Sequence, residues 1–455
     1  MGRDRVRAVR CTARTLAGLG LVLGAAGCGG EPPRVRSVVL IIIDTLRADH
    51  LGAWGYPRPT SAELDRRVAQ GALFERAFSP SSWTLPSFAS LYTGLWPSAH
   101  GVGREPGSDR RFTSLAPGLR PLAEILAGYG FATAAVANNP FLHPGFGLAR
   151  GFGAYHYVYG NLARQPRASQ IAWDALRWLD ARDPDRRFLL AVHFFDPHLS
   201  YDPDPSVRGT FTAGYGGSLA LPLGGFGKAN AGWAPRELSD RAFVAAAYDE
   251  ELLFVDHQLA RFFAGVEQRG LWDETLVVLT ADHGEELFEH GGFEHGHSLH
   301  QEVLHVPLVI WGPGVRPGRI ATPVSLVDVL PTLLDALGLP PAPGLAGVSL
   351  WPLAMRGAPL AERALVAEGV LHGPERRALV RWPWKLLEVD GGAPRLFDLM
   401  ADPAERSDLA AADPERVRAL AAELAELRAG PTAVGPAPDL DDTTRRQLSG
   451  LGYLD

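Results

Sequence analysis

Cysteine is almost missing from this chain of 455 residues: only Cys11 and Cys28 occur, both at the extreme N-terminus. Removal of a leader before Cys28 would leave no second thiol, which excludes an intramolecular disulfide and cysteine chemistry from the rest of the chain. Lysine is equally scarce, with Lys228 and Lys385 its whole complement, so the basic charge is nearly all arginine. The formal net charge is −7. That balance gives no basic excess and argues against a nucleic-acid partner. Long apolar runs are missing too. The stretch 16–27 (LAGLGLVLGAAG) falls well short of the roughly 20 residues a bilayer span needs, and no later segment is longer. There is no internal repeat.

What is present begins with a leader. Arg3, Arg5, Arg7 and Arg10 precede the short apolar run, and small residues lead into Cys28. This pattern reads as a secretion signal over 1–28. AAGC resembles a bacterial lipoprotein cleavage box, with Ala25 where leucine is preferred and Cys28 as the acylated first residue. The expectation is a bacterial envelope protein, periplasmic or surface-facing, whose one membrane contact is that lipid anchor.

The composition, 46% hydrophobic and 21% charged, is that of a globular chain large enough for one big domain or two moderate ones. After a tether at 29–36, the run SVVLIII (37–43) is continuous, apolar and β-branched, as in a strand buried on both faces. FATAAVA (131–137), FLLAVHFF (188–195), TLVVLTA (275–281) and VPLVIW (306–311) read the same way. Helical patterns lie between them at 59–70, 86–93, 120–129, 168–181, 240–265 and 325–337. Alternation of strands and helices predicts an α/β fold with a parallel or mixed sheet. The Gly/Pro-rich stretch 200–236 reads as a loop over the site or a surface excursion. The expected organisation is a main domain over 37–355, a small antiparallel sheet over 356–412 and a helical tail over 413–455.

Several predicted strands end in polar residues: Asp44, Asn138 and Asn139, Asp196, and Asp282 with His283. In open α/β sheets ligands bind beyond the carboxyl ends of the strands. Each of these residues has a plainer role as a turn or cap. Together, a carboxylate set with an imidazole suits a divalent metal. The segment ADHGEELFEHGGFEHGHSLHQE (281–302) adds more histidines. His290 and His297 are the stronger functional candidates there, whereas His295 and His300 read as solvated loop residues. His198, after Asp196-Pro197, suits a group that meets an oxyanion or leaving oxygen. In SPSSWTLPSFASLYTG (79–94), Thr84 reads as the N-cap of a helix beginning near Pro86. A threonine hydroxyl becomes a nucleophile only when a metal or base activates it.

In order along the chain, VVLIIIDTLRADHLGAWGY, SSWTLPSFASLYTGLWPSAHGV, GYGFATAAVANNP, HFFDPH and TADHGEELFEHGGFEHGHSLHQEVLHVPLVIWGPG resemble the sulfatase family of the alkaline-phosphatase superfamily. WKLLEVDGGAPRLFDLMADPAERSDLA resembles its small C-terminal domain. The resemblance implies a central mixed sheet flanked by helices, with a small C-terminal antiparallel-sheet subdomain, and an ester hydrolase for sulfate or phosphate esters.

The departures matter. Sulfatases carry Cys or Ser, in Cys-x-Pro-x-Arg, where this chain has Thr84-Leu85-Pro86-Ser87-Phe88. Threonine cannot become formylglycine, so that cofactor is excluded. The family's Asp-Asp pair is Asp44-Thr45, and its two active-site lysines have no counterpart; Asn138 or Asn139 falls near the first and His297 near the second. Metal-bound threonine nucleophiles belong to phosphorus-handling relatives. The resemblance therefore implies one divalent ion (Ca²⁺, Mn²⁺, Mg²⁺ or Zn²⁺) on Asp44, Thr84, Asp282 and His283, with Thr84 attacking the ester. His198 and His297 would serve the transferring group or leaving oxygen, and Asn138, Asn139 and Asp196 the anionic substrate. A second ion would have only Asp196, His198 and His297 to draw on. Envelope glycans and lipids fit as substrates of an anchored enzyme. A phosphotransferase acting on them and a catalytically silent binding lipoprotein are the competing readings.

Overall fold

The computed structural model describes residues 35–454 apart from 106, 109–110, 159–166, 225–234, 236 and 452. The signal, Cys28 and most of the tether therefore lie outside the described residues, as does Lys228. Residues 33–455 form one unit.

The apolar run 37–43 is a strand, Ser37–Ile43, with every residue buried. It can be apolar on both faces because it pairs in parallel on both edges, with Phe188–Phe194 on one side and Thr275–Ala281 on the other. Ala132–Ala137 extends the sheet in parallel beyond Phe188–Phe194, and Ala154–Tyr157 follows in parallel. On the far side His305–Trp311 runs antiparallel to Thr275–Ala281 and to Ala72–Phe78. The sheet is thus mixed, as expected. Ala72–Phe78 and Ala154–Tyr157 were not among the predicted strands; Glu75 and Arg76 interrupt the first, and the second is only four residues long.

The parallel order carries the functional consequence. Asp44, Asn138, His198 and Asp282 follow strands that point the same way and lie side by side. The Asp44 N–H donates to Phe194 O at 2.9 Å, tying two of these ends together. Helices cover the sheet, among them Ala168–Ala181 and the long Leu238–Gln268. Within the described residues no helix is long and apolar enough to cross a membrane.

The loop after His198 is bound to that long helix by carboxylates. Glu251 Oε1 accepts from the Asp202 N–H at 2.6 Å, and Glu250 Oε1 from the Phe211 and Thr212 N–H groups at 2.7 and 2.8 Å.

A four-stranded antiparallel sheet follows: Leu365–Glu368, Arg376–Arg381, Trp384–Val389 and Arg395–Asp398. The helix Pro414–Leu427 packs Leu420 and Leu424 into its core. Asp413 caps this helix through the Arg416 N–H at 3.0 Å, with Pro414 in the first turn. The tail helix Asp442–Gly450 is capped by Asp441 at the Thr444 N–H, 2.7 Å. Its Leu448 is buried in the main core.

Candidate active site

The helix that begins the site spans Thr84–Thr93, and its N-cap is Trp83, with no side-chain cap bond. Thr84 is therefore the first helical residue and not the cap that the sequence suggested. The hydroxyls around it do the local work instead. Ser79 Oγ donates to Ser81 O at 2.6 Å, Ser81 Oγ to Gly369 O at 2.9 Å, and Ser87 Oγ to Ser81 O at 3.0 Å. Thr84 Oγ1 turns away from this loop, to His283 Nε2 at 3.4 Å and Asn139 Nδ2 at 3.3 Å.

Asn139 bridges nucleophile candidate and carboxylate, for its Nδ2 also donates to Asp44 Oδ2 at 2.7 Å. Its Oδ1 accepts from the Phe141 N–H at 2.9 Å, which fixes the amide orientation. Asn138 is buried beside it. Asp282 Oδ1 accepts from the His283 and Thr45 N–H groups at 2.9 and 3.3 Å. The second contact uses a sharp turn: Thr45 has φ of 53°, in the left-handed region that β-branched residues avoid. Tyr248 steadies it by donating to Thr45 O at 2.9 Å.

The donor set fits a divalent cation. Ligand atoms of Asp44, Asp282 and His283 lie within 4.8 Å of one another, and all three residues are buried. Asp44 Oδ1 and Asp282 Oδ2 have no hydrogen-bond partner among the described residues. A buried ionised carboxylate without a partner is costly unless a cation sits against it. His283 Nδ1 lies 2.9 Å from Gly284 O, so it holds the proton there and leaves Nε2 as a lone pair. That lone pair is 3.4 Å from Asp282 Oδ2 and 3.7 Å from Asp44 Oδ1.

Protonation points the same way. Burial, then the negative charge of Asp44, pushes the Asp282 carboxyl well above the usual range. Burial also works upward on Asp44, but the imidazoles of His193, His198 and His283 outweigh it and bring it to about 2. Burial lowers His283.

Sequence reasoning did not find all of the site. His193, inside the strand candidate 188–195 and given no role there, puts Nε2 3.3 Å from Asp44 Oδ2. Phe88, at the family's arginine position, packs edge-on against that ring at 5.3 Å. His295, read as solvated, is buried; its ring lies 4.4 Å from His283 and 5.0 Å from His198. Glu285 Oε1 holds His295 Nδ1 at 2.8 Å. Tyr453, in a tail read as a polar helix, places its hydroxyl 3.5 Å from both His198 Nε2 and His295 Nε2. A spacing of two residues within EHGHS decides between His295 and His297, and sequence alone has no means to do so.

The other candidate residues have partners of their own. His297 Nε2 pairs with Glu286 Oε2 at 2.9 Å, on the hairpin Glu286–Leu287 with Phe293–Glu294. The φ of Gly296, 74°, turns the chain between His295 and His297. Asp196 Oδ2 accepts from the Ala168 N–H at 2.8 Å, at the start of a helix. The second-metal set of Asp196, His198 and His297 is thus split among different partners. His300 is buried and paired with Glu405, Nδ1 to Oε2 at 3.0 Å, so it too is not a solvated loop residue.

The description "Sulfatase" fits a family model that matches residues 36–339 of this chain. Arylsulfatase K of Xenopus laevis is 33% identical over 189 residues, which is 38% of this chain and 35% of that protein. The chain thus matches about a third of the length of these curated relatives. Among solved structures, the phosphonate monoester hydrolase of Agrobacterium radiobacter superposes with a TM-score of 0.71 and 23% identity, covering 87% of this chain and 95% of that one. A protein solved in complex with its substrate D-glucosamine-2-N,6-O-disulfate gives a TM-score of 0.71 at 18% identity, covering 87% and 98%. Matched over most of its length and in its central sheet, the chain belongs to the sulfatase family.

Proposed function

We propose that the protein is a metal-dependent ester hydrolase in which Thr84 Oγ1 is the nucleophile and phosphate or phosphonate esters are the favoured substrates. The observation that carries this reading is the orientation of Thr84. Its hydroxyl is not used as a helix cap, and it lies against His283 and Asn139, beside two buried carboxylates.

Asp44, Asp282, His283 and Thr84 would hold the cation. A bound divalent ion supplies Lewis-acid polarisation of the ester and favours ionisation of the attacking hydroxyl. Asn139 orients Thr84, because one amide nitrogen serves both Oγ1 and Asp44. His193 and Phe88 fix the far side of Asp44. His198 and His295 present Nε2 toward one point, where the leaving oxygen is received. Thr84 Oγ1 gives up its proton and bonds to phosphorus as the bond to the leaving oxygen breaks; that oxygen takes up a proton on the His198 and His295 side, and water, losing a proton in turn, then cleaves the Oγ1–phosphorus bond and restores the Thr84 hydroxyl.

Phosphorus is favoured by the residue at position 84. A formylglycine hydrate can expel sulfate by collapse of its own hydroxyl, whereas a sulfo-threonine has only attack by water. Sulfate esters remain the second reading, supported by the arylsulfatase name of the matched relatives. The lipid anchor at Cys28 and an envelope glycan or lipid substrate belong to the same proposal.

The test compares an aryl phosphate diester, an aryl phosphonate monoester and an aryl sulfate on the full chain, with bound metal measured in the same preparation. The reading predicts a stoichiometric divalent ion and faster turnover of the phosphorus esters. Preferred sulfate turnover would reverse the substrate choice. A protein with neither metal nor turnover is the binding lipoprotein.

A further inference from the structure

The metal-ligand candidates and the nucleophile are closed off from solvent. Asp44, Thr84, Asp282 and His283 are at most 2% exposed, and His198 and His295 only 6% and 5%. Part of that cover comes from the end of the chain. The Tyr453 hydroxyl is 3.5 Å from His198 Nε2 and 3.5 Å from His295 Nε2. Its ring stands 4.9 Å from Phe141 and 6.3 Å from His372.

Both imidazoles are held from behind. His198 Nδ1 is 2.6 Å from Leu199 O, and His295 Nδ1 is 2.8 Å from Glu285 Oε1. His198 Nδ1 thus carries its proton to Leu199 O, Glu285 holds His295 Nδ1, and each near nitrogen is aimed at the same hydroxyl. Two imidazoles fixed to converge on one alcohol oxygen make a receptor for an alcohol, and Tyr453 fills it with a phenol.

Leu448, Leu451 and Tyr453 are 0%, 3% and 9% exposed and belong to the main core. Past Leu451, the backbone is held by the Tyr453 and Leu454 N–H groups on Leu448 O, at 2.8 and 3.3 Å.

We propose that Tyr453 is an internal occupant of the leaving-alcohol subsite: its phenol stands where an aromatic alcohol of the substrate is received, and it swings out before an ester reaches Thr84. The proposal rests on the reading of His198 and His295 as the groups that face the leaving oxygen. An occupant of this kind lowers apparent affinity in proportion to the time it spends in place. It also marks the substrate class, an ester whose leaving group is an aromatic alcohol of phenol size.

The test is titration of the full chain with 4-nitrophenol, as wild type, Tyr453→Phe and Tyr453→Ala, each checked for cooperative thermal unfolding. Tyr453→Ala should bind 4-nitrophenol at least tenfold more tightly than wild type. Tyr453→Phe, which keeps the ring against Phe141 and loses the hydroxyl, should gain two- to fivefold. KM for a 4-nitrophenyl phosphonate monoester should fall in the same order with kcat retained. Unchanged or weaker 4-nitrophenol binding in both variants overturns the proposal, as does a raised KM, which would make Tyr453 a standing substrate contact. Thr84→Ala should bind 4-nitrophenol like wild type. If the Tyr453 series shifts as expected while no ester is turned over, the hydrolase reading fails and the occupant stands.

Discussion

The segment 281–302 builds two buried histidine clusters from the same residue types, and the two are finished differently. At its start, His283 and Asp282 join Asp44 and Thr84, and the carboxylates keep oxygens without hydrogen-bond partners among the described residues. At its end, His290 and His300 stack at 3.7 Å, and carboxylates meet basic side chains. Glu405 takes Lys385 Nζ at 2.6 Å, the Gln301 N–H at 2.7 Å and His300; His290 Nδ1 meets Glu302 Oε1 at 2.7 Å. Lys385 also donates to Leu299 O at 2.6 Å. The second cluster pairs its carboxylates with a lysine and two histidines, and it joins the site loop to the small C-terminal sheet. The first is short of positive charge, which is the condition a divalent cation relieves. Histidine content does not separate them; the lysine set against the buried carboxylate does.

Substitutions in each cluster should have different effects. Thr84→Ala should cost the most, a fall in kcat of about 10³-fold or more, with thermal unfolding unchanged. Retained turnover would remove Thr84 from the chemistry. Next comes His295→Ala, with a loss of about 10²-fold, against a few-fold for His297→Ala. Steady-state kinetics on both variants decides which histidine belongs to the site, and the reverse ranking would restore His297.

On the structural side, Lys385→Met leaves Glu405 buried without its cation. A cost of about 3–5 kcal/mol is expected for breaking such a pair, read by denaturant unfolding, with the metal stoichiometry unaltered. Loss of metal in this variant would join the two clusters into one functional unit. The smallest effect is on pH. Burial raises the Glu405 carboxyl, but Lys385 and His300 outweigh it and hold it at about 2, below its ordinary 4.5. Its contribution is complete above 4.5 and is lost as the pH falls toward 2. Wild type should therefore lose more stability than Glu405→Gln between pH 5 and 2.5, and equal losses would show that Glu405 is not the group being titrated.

Where chemistry is local, the sequence was readable. SVVLIII can only be a doubly covered strand, and the residues after it and its parallel neighbours must share a rim, so Asp44, Asn139, Asp282 and His283 were within reach of pattern and periodicity. Ala72–Phe78 was not, because its charged pair falls at an edge where Gly318–Ile320 pairs only part of the strand. His193 was hidden by its apolar neighbours. The Thr84 assignment as a cap failed because propensity knows only the helix, whereas the hydroxyl's partners follow strands of the sheet, 55 and 199 residues away in sequence. Tyr453 had no local signal at all: its role depends on where a tail returns after the whole fold is made.

The most direct test of the account is mass analysis of the Thr84 peptide after acid quench of the full chain turning over an aryl phosphonate monoester. The account predicts a phosphonyl adduct on Thr84 that appears and decays with turnover and is absent from Thr84→Ala. Continued turnover by Thr84→Ala, with no adduct on the wild-type peptide, would contradict it.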